Sequence, residues 1–178
     1  MQILFFNEIH YRKNKELLDI ENKEIILRNA VRAVIIDGNK ILMAYLQKTD
    51  EYKFPGGGQN ENETAENALR REVLEEVGYI VNEILKKIGI ITEFDTSREG
   101  KNYVFKMISE YYLVEIEDIQ VKQNLEEYEK EYGFTPCWVE IEKAYKTNIE
   151  KINTNAETTP GIKRETIALE KLMLEYNK

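Results

Sequence analysis

Three glutamates within five residues, Glu72, Glu75 and Glu76, are the side chains of this sequence best placed to do chemistry. Successive residues of an α-helix are separated by about 100°, so positions three and four apart share one edge. On a helix these carboxylates would line up, and like charges at that spacing repel. One reading is a solvated helix face steadied by i,i+4 pairs, for which Glu66–Arg70 and Arg71–Glu75 have the right spacing. The other is a cluster crowded to hold a hard cation through oxygen ligands. The chain has one histidine, His10, and one cysteine, Cys137. That argues against a His- or Cys-based centre and a disulfide, and leaves Mg2+ or Mn2+ as the cation that fits.

The helix that would carry these glutamates is predicted over 65–77, with Thr64 as N-cap and Gly78 just past its end. Ala65, Leu69, Val73 and Val77 recur at four-residue spacing and form a stripe for the core. The glutamate edge borders that stripe, where helix meets sheet. Ahead of the helix, Phe54-Pro55-Gly56-Gly57-Gly58 ends a short strand expected at 52–54. Glycines there let the backbone approach a phosphate or metal with no Cβ in the way. Residues 30–47 read as two β-rich runs around an Asp37-Gly38 turn. Residues 79–94 and 102–116 read as a long antiparallel pair, with the Ser97–Asn102 stretch between them. A polar, acidic segment follows over 117–134, expected to be loop with some helix. A short helix is expected near 140–149 and an amphipathic C-terminal helix over 162–176. Strands in two groups with helices between them predict an α/β fold, a mixed β-sheet covered on both faces. Residues 1–28 are placed only as an N-terminal extension or an added strand of one domain spanning 1–178.

A chain of 178 residues with 42% apolar and 33% charged side chains is of ordinary globular composition. Its net charge of -8 argues against general nucleic-acid or anionic-membrane binding. An acidic protein that handles an anionic ligand needs a metal ion or a few well-placed cations. The opening MQILFFNEIHYRK has no basic leader before its apolar residues, and no run approaches the roughly 18 apolar residues of a membrane span. A cytoplasmic protein with no membrane role is expected.

Read with gaps, the central stretch is Gly57, five residues, Glu63, seven residues, Arg71-Glu72, Val73, Leu74, Glu75-Glu76, Val77, Gly78 and Tyr79. It resembles the signature of the Nudix hydrolases at every polar and glycine position. Tyr79 is its one departure, where the family prefers an aliphatic residue. A looser resemblance takes in Val31–Ile36, KFPGGG, Trp138-Val139 and the terminal KRETIALEKL, roughly residues 28–175. The resemblance implies an α/β/α sandwich that cleaves a diphosphate bond with Mg2+ or Mn2+. Its substrates would be nucleoside diphosphates linked to another group, or (deoxy)nucleoside triphosphates, releasing a nucleoside monophosphate. By position Glu72, Glu75 and Glu76 would be the metal carboxylates, with Glu75, Glu76 and Arg71 in the catalytic set. Arg71 would orient them by ion pairing, and Glu63 would support the loop or a further metal. A backbone carbonyl of Gly56 or Gly57 is an extra candidate ligand. The alternative is a non-catalytic nucleotide-binding module on the same fold; such modules commonly have a degenerate box, and this one is intact. A homodimer is compatible with either.

Outside the box, Arg32 interrupts an apolar strand and Lys53 directly precedes the glycine loop. Each could reach phosphate oxygens, as could the backbone at Gly58; surface charge or internal ion pairs are the alternatives for the two cations. The base that serves the attacking water is assigned to Glu126 or Glu127, with a merely solvated acidic loop as the competing reading. Tyr45 and Tyr52 are candidates for stacking a nucleobase, against plain core packing. Cys137 reads as a small buried hydrophobe. The downstream marks of several Nudix subfamilies are missing: Asp95 stands where one class of ADP-ribose pyrophosphatases has proline. Thr96 and Ser97 stand where many diadenosine polyphosphate hydrolases have tyrosine. The substrate is therefore left unnamed.

Overall fold

The structure is a computed structural model that describes residues 5–11, 23–95, 103–154 and 156–176. It is an α/β fold, as expected, but its strands divide between two four-stranded sheets. The mixed sheet has the order β1-β6-β7-β2, formed by β1 (Phe5–Tyr11), β6 (Tyr79–Asp95), β7 (Tyr103–Gln120) and β2 (Glu24–Val34). Its central pair is antiparallel and both outer pairings are parallel. The N-terminal residues thus supply an added strand. The second sheet is antiparallel and centres on β4 (Lys40–Leu46). β8 (Phe134–Glu140) runs along one edge of β4, while β3 (Ile36–Asp37) and β5 (Glu51–Lys53) share the other.

Alternation explains why the strands leading to the site are almost continuously apolar. In β4, Ile41 and Met43 face one core while Leu42, Ala44 and Leu46 face another. In β2, Val34 joins the first core, and Val31 and Ala33 the second. Strands buried on both faces lose the polar half of the period-two pattern. The first core is closed by α3 (Ile141–Asn153) and α4 (Ile162–Tyr176), the second by α1 (Ala65–Val77). This is the α/β/α layering.

Helix α1 follows from its local sequence. The Thr64 hydroxyl caps it by accepting from Asn67 N–H, and Gly78 ends it in the left-handed region at φ 74°. Leu69, Val73 and Val77 are fully buried, each stabilising the fold by about 1.5–3 kcal/mol. Ala68 is buried with them, and Ala65 is only half-buried.

Several boundaries differ from the sequence reading. The turn after β3 is Gly38-Asn39, since Asp37 still pairs with Lys40. Strand β7 continues to Gln120, so the acidic segment begins as sheet and becomes helix only at α2 (Glu127–Tyr132). The Ser97–Asn102 stretch and Thr96 lie outside the described residues. Tyr45 and Tyr52 pack against each other with ring centroids 5.1 Å apart, within or against the first core. That is packing and not an open stacking surface. Cys137 is half-buried against the same core. No helix among the described residues is long and apolar enough to cross a membrane.

Candidate active site

The glycine loop lies between β2 and α1. Ala33 N–H donates to Pro55 O at 2.8 Å and Val31 N–H to Gly57 O at 3.0 Å, so the loop continues the sheet beside β2. Gly56 has φ 142°, and a Cβ there would stand 2.1 Å from Val31 O. Only glycine lets the chain pass this close to the strand. A Cβ on Gly57 would stand 2.4 Å from Glu72 Oε1, so that glycine makes room for a carboxylate.

Two of the three glutamates are turned inward. Glu76 is 1% exposed and Glu72 8% exposed, values found for carboxylates only when they are paired. Glu76 accepts from Gly56 N–H at 2.7 Å through Oε2 and from Lys53 Nζ at 2.8 Å through Oε1. Burial and the neighbouring Glu76 charge push the Glu72 carboxyl above its ordinary range, against the pull of Arg71. Glu75 is more open and pairs with Arg71 at 3.2 Å.

Arg71 ties the box together. Its Nε and Nη2 grip the two oxygens of Glu63 at 2.9 and 2.8 Å, a bidentate fork. The same guanidinium reaches Glu72 at 2.7 Å and Gly58 O at 3.1 Å. Glu63 also accepts from Asn60 N–H at 2.9 Å. Arg71 chiefly, with that backbone bond, brings the Glu63 carboxyl down to about 2 despite some desolvation. Glu63 here supports the loop through Arg71.

Arg32 and Lys53, both expected near phosphate, lie beside the loop. Lys53 makes an internal ion pair with Glu76. Arg32 is buried, donates from Nη1 to Gly56 O, and has no partner for Nε among the described residues. Both line a cavity of about 560 Å³ whose walls include Tyr128, Tyr132, Phe134, Glu93, Arg164 and Glu165.

Glu126 and Glu127 stay in solvent, while Glu129 is 3% exposed and turns inward. Segment 120–124 brings it there by satisfying the carbonyls that α1 leaves unpaired at its C-terminus. Val121 N–H donates to Gly78 O at 2.7 Å, Asn124 N–H to Glu75 O at 3.0 Å, and Gln120 Nε2 to Val77 O at 3.2 Å. Gln123 Nε2 bonds Glu76 O. The chain then enters α2, where Glu129 accepts from Glu126 N–H at 2.8 Å and from the Tyr128 hydroxyl at 3.0 Å. Burial first, and then the Glu76 charge, push Glu129 up to about 7. The sequence reading missed this residue. A signal was present: Glu126 and Glu129 have capping-box spacing, which would have put Glu126 at the helix start and Glu129 within it.

Among the described residues no three carboxylates converge on one point: Arg71 gathers Glu72 and Glu75, while Lys53 and the Gly56 N–H engage Glu76. The donor chemistry nevertheless fits a hard divalent cation. All candidate donors are oxygens, two of the carboxylates are buried beside one another, and Gly57 leaves space at Glu72 that a Cβ would fill.

Comparison with known proteins agrees with this picture. A family model for the NUDIX domain matches residues 26–160, and the chain belongs to that family. The structure is similar to the MutT NUDIX hydrolase from Burkholderia pseudomallei, with a TM-score of 0.57 and 17% identity over 82% of this chain and 98% of that one. It is also similar to a NUDIX hydrolase from Nitrosomonas europaea, with a TM-score of 0.56 and 18% identity over 83% and 89%. At such identities the likeness is one of fold alone. The RNA pyrophosphohydrolase of Sulfurovum sp. (strain NBC37-1) is 39% identical over 90 residues, 47% of this chain. The match spans 57% of that relative's length.

Proposed function

We propose that this chain is a pyrophosphohydrolase that uses Mg2+ or Mn2+ to cleave a diphosphate bond in a nucleotide substrate, releasing a nucleoside monophosphate. The observation that carries the reading is the buried pair Glu72 and Glu76, facing a glycine loop whose Gly56 leaves no room for a side chain and whose Gly57 makes room for the Glu72 carboxylate. A solvated helix face would leave these carboxylates in water.

When bound, the divalent ion neutralises the diphosphate and lowers the pKa of a water molecule. Glu72, Glu75 and Glu76 would hold it, with the Gly56 or Gly57 carbonyl as an added donor. Arg71 fixes the carboxylates and the loop in one frame. Lys53 and Arg32, on the cavity side, bind phosphate oxygens; Arg32 presents a planar fork for that purpose. The organic part of the substrate occupies the cavity beside Tyr128, Tyr132 and Phe134. Water attacks phosphorus, the bond to the bridging oxygen breaks, and Glu129 accepts the water's proton. Glu129 takes this role in place of Glu126 and Glu127 because it alone of the three is turned inward, and its pKa of about 7 suits a base at neutral pH.

A second reading makes the 5′-polyphosphate end of an RNA the substrate. The name of the Sulfurovum relative favours it, while the net charge of -8 weighs against a long polyanion. One panel tests both. Nucleoside diphosphate conjugates, nucleoside triphosphates and a 5′-triphosphorylated oligoribonucleotide are incubated with Mg2+ or Mn2+, and released phosphate species are separated. Cleavage of the oligonucleotide above all free nucleotides selects the second reading. No cleavage of any compound with either ion overturns both.

A further inference from the structure

We propose that Glu165, on α4 and outside the glutamate helix, is a positioning residue for the Phe54–Gly57 loop, without whose charge and reach to the Phe54 N–H the site loses its hold on divalent metal. The proposal rests on the reading of Glu72, Glu75 and Glu76 as a metal site.

The loop is held from two sides. From β2 come the Ala33–Pro55 and Val31–Gly57 bonds. From the opposite side, Glu165 Oε2 accepts the Phe54 N–H at 3.0 Å. Two residues earlier, the side chain of Asn148 on α3 holds Tyr52 by accepting from its N–H and donating to its carbonyl, both at 2.8 Å. A neutral amide is therefore enough to hold the backbone of β5. Phe54 is instead given a buried carboxylate, which is costly to desolvate unless its charge is used.

Its charge faces two guanidinium groups. The Glu165 Oε1 atom accepts from Arg164 Nε at 3.1 Å and from Arg164 Nη2 at 2.6 Å. Arg164 also pairs with Glu93 on β6. Arg32, the second cation, bonds the Gly56 carbonyl. Burial alone would raise the Glu165 carboxyl; Arg164, Arg32 and the Phe54 N–H together outweigh it and hold the carboxyl below its ordinary range. Through Arg32 its charge bears on Gly56 O, and through Phe54 its oxygen fixes the start of the loop. Gly56 N–H in turn orients Glu76. Two polar contacts joined by the Phe54–Gly56 backbone, Phe54 N–H to Glu165 and Gly56 N–H to Glu76, thus link α4 to a proposed metal carboxylate. Partners of this kind, which orient the groups that hold a metal, are worth 10- to 100-fold in metal affinity or activity.

The test compares the wild type with Glu165→Gln, nearly equal in shape but uncharged, and with Leu172→Ala, a core truncation on the same helix. Mn2+ affinity is measured without substrate by electron paramagnetic resonance, alongside kcat and KM at a temperature where all variants are folded. Glu165→Gln should bind Mn2+ about tenfold more weakly and lose about tenfold in kcat, whereas Leu172→Ala should lose stability and keep both. Equal losses in the two variants would reduce Glu165 to a structural role and overturn the proposal, as would unchanged affinity and kcat in Glu165→Gln. If Glu165→Gln does not fold, Glu165→Asp keeps the charge while withdrawing from Phe54 N–H. It should show a milder loss of the same kind, and wild-type affinity and kcat in it would overturn the proposal. A wild-type protein that binds no Mn2+ overturns the metal reading itself.

Discussion

Adjacent glycines in the loop should respond to the same substitution in opposite ways. At Gly57 an added Cβ would meet only the carboxylate of Glu72, at 2.4–2.5 Å, and the backbone there is not left-handed. The obstructing atoms are the end of a flexible side chain, so Gly57→Ala should fold with little change in melting temperature. The carboxylate must nevertheless withdraw by roughly 1 Å to reach ordinary contact, and a misplacement of that size costs about 100-fold in rate. At Gly56 the Cβ would meet the Val31 backbone at 2.1 Å, with φ at 142°. No side-chain movement relieves that clash. Gly56→Ala should destabilise by about 3 kcal/mol or more, from strain at a special backbone position. Thermal melts and steady-state assays of both variants on the best substrate make the comparison. A Gly57→Ala enzyme with near-wild-type kcat would refute the placement of Glu72 in the catalytic centre. So would a collapse of its melting temperature equal to that of Gly56→Ala.

Three further outcomes follow from the same geometry. Glu129→Gln should cut kcat by about 100-fold or more, while Glu126→Gln and Glu127→Gln keep near-normal rates. The folded-state pKa of Glu129, about 7 against an ordinary 4.5, means the folded protein holds that proton more tightly than the unfolded chain. Metal-free protein should therefore lose stability as pH rises from 4.5 to 7. Melts of wild type and Glu129→Gln should coincide near pH 4 and separate above pH 7, with the variant higher. Mg2+ or Mn2+ at 100 times its dissociation constant should add about 2.7 kcal/mol, raising the melting temperature by roughly 5–10 °C for a chain of this length; no rise with either ion counts against the metal site. Thr64→Ala removes the cap on Asn67 N–H and should cost about 1 kcal/mol, read as a small drop in melting temperature with kcat preserved.

What could be read in the sequence was local. Thr64 and Gly78 set the ends of α1 through contacts within a few residues, and both ends fall where expected. The stripe of Leu69, Val73 and Val77 fixes which face is buried, and that in turn places Glu72 and Glu76 at the sheet. The partition into two sheets was not legible. β4 is apolar at nearly every position because both its faces are buried, and such a run does not state which strands lie beside it. Its pairing with β8 joins residues almost a hundred positions apart. Nor could the sequence say whether Lys53 points to solvent or to Glu76, since the answer depends on where α1 packs.

Glu129 illustrates the harder limit. Among five glutamates between 126 and 140, composition gives no reason to prefer it. The preference comes from the C-terminal carbonyls of α1, which need donors once they are buried. Residues 120–124 provide them with two side-chain amides and two backbone N–H groups. That fixes where α2 begins, and with Glu126 at its N-cap the third residue of the helix, Glu129, turns back onto the Glu126 N–H and is buried. The position of the proposed base is therefore set by the hydrogen-bonding needs of the very helix that carries the proposed metal ligands. Shortening the 121–126 connection by one residue would leave the glutamate box intact and rotate Glu129 away. Such a deletion should cost turnover as much as Glu129→Gln does, while the effect of Mn2+ on the melting temperature remains. If the deleted chain instead keeps its rate, another group takes the proton and the inward turn of Glu129 serves only to cap α2.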